Sequence, residues 1–345
     1  MMDQLATSDE ALSEWLSKSK VVENVAKLPG DASTRKYYRV AAAGKSYIAM
    51  RMESFANEGM QLPFLVLQKH LSLSGVDVPQ VLDVDPARGF ILLEDLGDVT
   101  LLRKLQDVCT PDVERQIYER VIDSLIDMQN QASPERHPKL ALDAFKLRFD
   151  HEKLMWEINF TIEHFYKTYL DRAIAPQDLA LMTGRFSEIC SLLAHQPTVF
   201  THRDFHSRNV MVAPTSDPKK ERFVMIDFQD ARMGPAQYDL ASLLKDSYYQ
   251  LDEQQIQRLL DYYVVRREAL TQTKIDREEF IRVFDMMALQ RNFKAIGSFA
   301  SFLNRRGNPG YLKYIGNTFE NVRRTLLKYP DYSDLREVLF HYYYF

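Results

Sequence analysis

The sequence predicts an α+β chain in two lobes: a small lobe built on an antiparallel sheet, then a large, mainly helical lobe with a helical insertion. Three observations predict it. Short strand-like apolar runs separated by turn formers fill the chain as far as Gly97. From Leu101 onward helical periodicity dominates. Around residues 199–228 that periodicity is interrupted by two short strand-like segments framing a polar turn. The lobes are expected at residues 1–96 and 97–345.

Residues 8–27 read as an amphipathic helix, because Leu12, Trp15, Leu16 and then Val21, Val22, Val25 recur near helical spacing. The run Leu28-Pro29-Gly30-Asp31-Ala32-Ser33-Thr34 is dense in turn formers and leads into a strand over Lys36–Val40. Ala43-Gly44-Lys45 turns the chain into a second strand over Ser46–Met52. A helix over 57–73 and strands over Val78–Val84 and Phe90–Leu93 complete the small lobe, with Glu94-Asp95-Leu96-Gly97 as the connector. The segment Ala144–Leu170 carries Phe145, Phe149, Trp156, Phe160, Phe165, Tyr166 and Tyr169, which helical core packing explains better than a ligand platform. Asp239 reads as the N-cap of a helix over Leu240–Tyr248. His341 to Phe345 reads as the apolar end of a final docked helix.

Composition narrows the class. With 345 residues the chain can bury one large core or two moderate ones, and 46% apolar with 27% charged residues is ordinary for a globular protein. A net charge of −4 and the lack of any Lys/Arg run argue against a nucleic-acid partner. The opening MMDQLATSDE is polar and acidic, unlike a secretory signal, and no apolar stretch approaches the roughly 18 residues a membrane span needs. Cys109 and Cys190 have no metal-like spacing and suit reduced thiols. A cytoplasmic monomer with no membrane partner is the expectation.

The chemistry is concentrated in Val199–Asp227, which opens VFTHRDFHSRNVMV and closes FVMIDF. Strand-like Val210–Val212 and Phe223–Ile226 flank a turn; Asp204 precedes the first segment, Asn209 stands at its edge, and Asp227 directly follows the second. Phosphoryl transfer needs that set: one acid to orient and deprotonate a hydroxyl, an amide and a second acid to hold magnesium on nucleotide phosphates. An acidic hairpin with a buried His accounts for fewer of the typed positions. A zinc pair of His202 and His206 needs Glu after the first His and a helix, whereas Arg203 follows and a strand comes next.

His202, Asp204 and Asn209 resemble the catalytic loop of the protein-kinase-like superfamily, and Asp227-Phe228 stands where its metal-binding Asp-Phe-Gly would be. The second His of H-R-D-F-H-S-R-N is similar to the H-G-D-x-H-x-x-N loop of the aminoglycoside phosphotransferases, and Gln229 in place of glycine suits that small-molecule branch. The resemblance implies a protein-kinase-like fold using ATP and Mg2+, with Asp204 catalytic and Asn209 and Asp227 on the metal. It implies a phosphate loop at Gly30, Asp31, Ser33 and Thr34 and an adenine-binding hinge at Glu94 and Leu96. One position departs: where such enzymes carry a phosphate-facing lysine, this chain has Met50 or Arg51.

Leu28–Val40, Leu92–Gly97 and Ala288–Gly297 together resemble one branch of that superfamily, the bacterial anomeric kinases of N-acetylmuramate and N-acetylglucosamine in cell-wall recycling. The branch implies transfer to the sugar's C1 hydroxyl. His206 and Arg208 beside the loop, and Arg291, Lys294 and Arg305 with Arg306 and Lys313, are candidates for the amino-sugar substrate, whose muramate form carries a carboxylate. Gln290 and Asn292 face either sugar hydroxyls or solvent. Alternatives are an aminoglycoside or other amino-alcohol kinase, a protein kinase, and a non-catalytic nucleotide-binding module. The protein-kinase alternative is disfavoured by the second His and the missing Ala-Pro-Glu.

Overall fold

Strand alternation and one tight turn organise the first sheet. Strands β1 (Val22–Lys27), β2 (Lys36–Ala42), β3 (Lys45–Arg51), β4 (Val81–Asp85) and β5 (Phe90–Glu94) pair antiparallel in the order β1-β2-β3-β5-β4. These assignments come from a computed structural model that describes residues 11–17, 22–29, 35–215, 217 and 220–344. Ala43 and Gly44 both take positive φ, 51° and 69°, the backbone of a two-residue hairpin turn whose twist matches the strands it joins. Across it Ala42 pairs with Lys45, and the register then sets Tyr38 against Ala49. Tyr38, Val40, Ala42, Ala49, Phe90 and Leu92 consequently share a buried face, on which Leu12, Trp15 and Leu16 of the helical residues 11–17 pack.

The helix expected over 8–27 is corrected: residues 11–17 are helical and Val22–Lys27 form a strand, the positions around them lying outside the described residues. The cause is a bulge. Pairing jumps from Val22–Ala42 to Asn24–Ala41, leaving Glu23 unpaired. One extra residue resets the period-two alternation, so Val22 and Val25 both reach the core at a spacing that imitates a helix.

The chain divides into two compact units. One comprises Met1–Leu73, Asp77–Asp98 and Met211–Gln229, the other Ser74–Val76, Val99–Val210 and Asp230–Phe345. In the first, the hairpin of β7 (Val210–Pro214) and β8 (Glu221–Met225) brings Ala213 and Val224 against Leu96, with Met211 and Ile226 beside them. Met225 N–H donates to Asp77 O at 2.9 Å, tying the hairpin to the segment that leads into β4.

The second unit is mainly helical, with a two-stranded ribbon of β6 (Thr198–Thr201) and β9 (Arg232–Pro235). Its axis is the helix Arg277–Arg306, capped by Asp276 accepting from Glu279 N–H and closed by Gly307 in the left-handed region. The helix is buried on most sides from Phe280 to Ala300, so it lacks a single apolar stripe. The helix His151–Thr161 crosses it at Gly297, runs on into a π-helical stretch Ile162–Tyr169, and sends Thr161 Oγ1 to Phe293 O at 2.9 Å. A Cβ on Gly297 would stand 2.4 Å from Thr161 Oγ1 and 2.6 Å from its Cα. Gly297→Ala should therefore cost about 1–3 kcal/mol, the usual range for overpacking. Chemical denaturation checks this, and an unchanged midpoint would mean that the two helices have slack to part. The last helix, Ser333–Tyr344, docks through Leu335, Leu339 and Tyr342. Among the described residues no helix is long and apolar enough to cross a membrane.

Candidate functional site

The loop between β6 and β7 is held by carboxylates beneath it. His202 and Arg203 N–H donate to the two oxygens of Asp239 at 2.7 and 2.9 Å, and Ser207 N–H donates to Asp246 at 2.9 Å. Both acids are buried. Burial lifts the Asp239 carboxyl, the two amides pull it back, and it settles at about 7. Asp239 is thus not the N-cap it resembles in sequence. It lies within the helix Gln237–Leu244, whose cap residue is Ala236, and its carboxylate serves the loop. Arg203 takes φ 81°, an uncommon backbone state for a residue with a Cβ, at the point where the chain turns over that carboxylate.

The turn presents Asp204. Its N–H donates to His202 Nδ1 at 3.3 Å, and its carbonyl accepts from Asn209 Nδ2 at 3.0 Å. Committing the amide nitrogen inward fixes Oδ1 as the remaining ligand atom of Asn209. His202, fully buried, braces this turn. The Asp204 carboxylate is 28% exposed and has Lys294 Nζ at 3.7 Å and Arg291 Nη2 at 3.9 Å. Those lengths are charge contacts rather than hydrogen bonds. Burial works to raise the Asp204 carboxyl; Lys294, Arg203 and Arg291 overcome it and hold the group well below the usual carboxylate range. His206 is pushed down to about 3 by burial and then by Arg291, so its imidazole is neutral at physiological pH. Its ring meets Tyr248 edge-on at 5.1 Å, and Arg208 stacks on the same tyrosine at 4.9 Å.

Of the basic residues singled out in sequence, Arg291 and Lys294 come to Asp204 and Arg305 does not. Arg305 Nη2 meets His164 Nε2 at 2.9 Å and its guanidinium lies 5.1 Å over Phe160, about 16 Å farther along the helix axis than Lys294. Arg306 lies over Phe302 and Lys313 over Tyr314. Gln290 and Asn292 face neither sugar nor solvent: both are buried, Gln290 donating to Glu157 at 3.2 Å and Asn292 to Ala288 O at 2.8 Å. Phe165 and Tyr166 are buried as expected, while Trp156 is 55% exposed.

In the other unit, Asp227 follows β8 with φ 66°. Gln229 Nε2 donates to Asp227 Oδ1 at 2.7 Å, and Gln229 Oε1 accepts from Arg35 Nη1 at 3.1 Å. Tyr37 is raised by burial, lowered by Arg35 and raised again by Asp227, so the phenol sits near both. On β3, Met50 is fully buried, and it pairs with Tyr37 and Ile91. A cation linked to Asp227 through Gln229 is Arg35, which sequence reasoning passed over. Phe64 stacks on Phe228 at 5.3 Å and carries Arg35 at 5.6 Å on its ring.

Glu94 and Leu96 stand at the end of β5. Glu94 N–H donates to Gln80 O at 2.9 Å, and its carboxylate takes Arg222 Nη1 at 2.9 Å. Arg39 on β2 grips the following segment through Asp95 at 2.7 Å and Asp98 at 2.9 Å. Two of the segments that carried the family resemblance thus clasp each other. Gly30, Asp31, Ser33 and Thr34 lie outside the described residues.

Asn209 Oδ1 and the Asp227 carboxylate are hard oxygen donors, the chemistry magnesium prefers. Among the described residues no group of three or more His, Cys, Asp or Glu converges on a metal position; magnesium held mainly by phosphates needs one or two carboxylates.

A family model described as the phosphotransferase enzyme family matches residues 24–274. An N-acetylmuramate/N-acetylglucosamine kinase of Pseudomonas aeruginosa is 31% identical over 90% of this chain and 86% of its own length. The enzyme of that name from Neisseria meningitidis is 29% identical over 90% and 87%. Among solved structures, choline kinase LicA from Streptococcus pneumoniae superposes with a TM-score of 0.62 at 14% identity, covering 93% of this chain and 99% of that one. An ADP-bound aminoglycoside phosphotransferase does so at 0.59 and 15%, covering 91% and 97%. The fold is that of these small-molecule kinases, and the chain belongs to the phosphotransferase enzyme family.

Proposed function

We propose that this protein transfers the γ-phosphate of ATP to the anomeric hydroxyl of N-acetylmuramate and N-acetylglucosamine, giving the sugar 1-phosphate. Asp204 accepts a hydrogen bond from the C1 hydroxyl and aims its oxygen at the phosphorus. Held ionised by Lys294, Arg203 and Arg291, it is always ready to accept but is a weak base, so the proton moves late, as the loose transition state of phosphoryl transfer allows. Asn209 and Asp227 hold magnesium, which when bound neutralises charge on the β- and γ-phosphates. Arg35, steadied by Gln229 beside Asp227, supplies the phosphate-facing cation that Met50 cannot. Glu94 and Leu96 offer backbone groups to the base, and the segment holding Gly30, Asp31, Ser33 and Thr34 faces the phosphates.

The observation that carries the acceptor class is the ring of cations around Asp204. Lys294 at 3.7 Å and Arg291 at 3.9 Å from the catalytic carboxylate repel a polycationic aminoglycoside or choline and suit a neutral or anionic sugar. Relatives 31% and 29% identical to this chain carry the two amino sugars in their names. Turnover of Mg-ATP should be measured across N-acetylmuramate, N-acetylglucosamine, choline and an aminoglycoside, with phosphorus NMR of the product. The expected result is a phosphate on C1 of both amino sugars. Turnover only with a cationic acceptor, or a phosphate on another hydroxyl, sinks the reading.

A further inference from the structure

A second cationic group extends from Arg203, next to Asp204, to Arg232 and Lys153, which belong to no motif. The antiparallel ribbon pairs Thr201 with Arg232, so Arg203, just past the end of β6, and Arg232, at the start of β9, emerge at one end of it. Thr201 Oγ1 fixes that end by donating to Arg232 O at 2.7 Å. The approach to the helix His151–Thr161 is stitched to the same ribbon, Phe149 N–H donating to Met233 O at 3.1 Å. Lys153 stands in the first turn of that helix.

The cations there are loosely paired. Arg203 has one exposed partner, Asp230, at 3.1 Å, and Lys153 has Glu157 at 3.5 Å. Arg232 has no ion pair among the described residues and rests on the Phe149 ring at 5.1 Å. Around the catalytic loop Lys153, Arg203, Arg232, Arg291 and Lys294 face Glu157, Asp204, Asp230, Asp239 and Asp246, the last two raised by burial. Burial, and then repulsion from Arg203 and Arg232 against the pull of Glu157, lowers the Lys153 ammonium; burial and Arg203 lower the Arg232 guanidinium.

Hydrogen bonding is unfinished as well. The Nε–H donors of Arg203, Arg232 and Arg291 are buried without an acceptor, and Gln290 Oε1 and Tyr238 OH are buried without a hydrogen-bond partner. Buried donors that lack acceptors are rare because each carries its full desolvation cost. Three unpaired guanidinium donors, those of Arg203 and Arg291 beside Asp204 and that of Arg232 beside Arg203, call for an anion rather than for more packing.

We infer that Arg203, Arg232 and Lys153 form an anion subsite of the acceptor pocket, which binds the lactyl carboxylate of N-acetylmuramate while Asp204 engages the anomeric hydroxyl. This rests on the amino-sugar reading and deepens it. It divides the labour among the cations: Arg291 and Lys294 serve Asp204 and both sugars, Arg232 and Lys153 serve the one sugar that is an acid, and Arg203 stands between the two groups. The forked guanidinium of Arg232 suits a carboxylate better than a point charge does. Lys153 also lies 4.0 Å from the exposed Trp156 ring, placing an aromatic wall next to the subsite.

The test is a double-mutant cycle on protein and ligand. Wild type and Arg232→Gln are assayed with N-acetylmuramate, its lactyl methyl ester and N-acetylglucosamine. The expected result is that Arg232→Gln loses about tenfold or more in kcat/KM for N-acetylmuramate beyond any loss on N-acetylglucosamine, and that esterification costs wild type a similar factor but the variant little. Lys153→Met should show the same ratio more weakly, and Arg232→Lys should restore part of it. Calorimetric binding of N-acetylmuramate and its ester gives the same cycle without turnover. Equal losses on acid, ester and neutral sugar would overturn the subsite and leave the kinase reading standing. Wild type that phosphorylates neither amino sugar would overturn both.

Discussion

Asp204→Asn should lower kcat on the best acceptor by about 10²-fold or more, the usual cost of losing a base or orienting acid, while Mg-ATP still stabilises the protein as it does wild type. Asparagine keeps the shape and the backbone contacts that matter to the loop, namely the N–H given to His202 and the carbonyl taken by Asn209. What disappears is the negative charge. Lys294 and Arg291, now 3.7 and 3.9 Å from a neutral amide, lose their counter-ion and stop holding an acceptor in readiness. The amide NH2 is no hydrogen-bond acceptor, so half of its rotamers present the hydroxyl with a donor. Kinetics on both sugars, paired with an Mg-ATP melting shift, separate chemistry from nucleotide binding. Turnover within about threefold of wild type would remove Asp204 from the catalytic role.

Asp227→Ala should be comparably severe and different in kind. A metal that neutralises phosphate charge is worth several kcal/mol in the transition state, about 10³-fold in rate, and this side chain is proposed as its carboxylate ligand. The substitution also releases Gln229, whose amide bridges Asp227 to Arg35, so Arg35, proposed as the phosphate-facing cation, should loosen as well. Asn209→Ala should be milder, leaving activity that needs more magnesium. Titrating magnesium at fixed ATP reads both: the activation midpoint should move upward in each variant. Midpoints that coincide with wild type would take both residues off the metal.

The sequence made the chemistry legible farther than the geometry. His202, Asp204, Asn209 and Asp227 are spaced by a loop and a hairpin, and local constraints of that kind leave a readable pattern. The β2–β3 turn is legible for the same reason, since Ala43-Gly44 needs positive φ at adjacent positions. Val22–Lys27 misleads because its bulge gives buried valines a helical spacing. Asp239 misleads because an acid before an apolar run looks like a cap, whereas its partners are amides 36 and 37 positions away. Arg35, Lys153 and Arg232 left no signal at all. Each lies on a different element, and a cation at a strand end or on the first turn of a helix is commonplace until the fold gathers it.

The membership of the first unit has a consequence for how the chain is made. Met211–Gln229 belongs to it together with residues up to Asp98, and Leu96 is covered only once Ala213 and Val224 have arrived. Synthesis at the ribosome delivers those residues after more than a hundred intervening ones, so the nascent sheet waits with an apolar edge uncovered. A released fragment ending at Asp98 would keep its five strands but lack the hairpin that buries Leu96, and it should be prone to aggregate. The delay also couples the two units in time: the first unit reaches its final form only after residues 99–210 of the second have been synthesised.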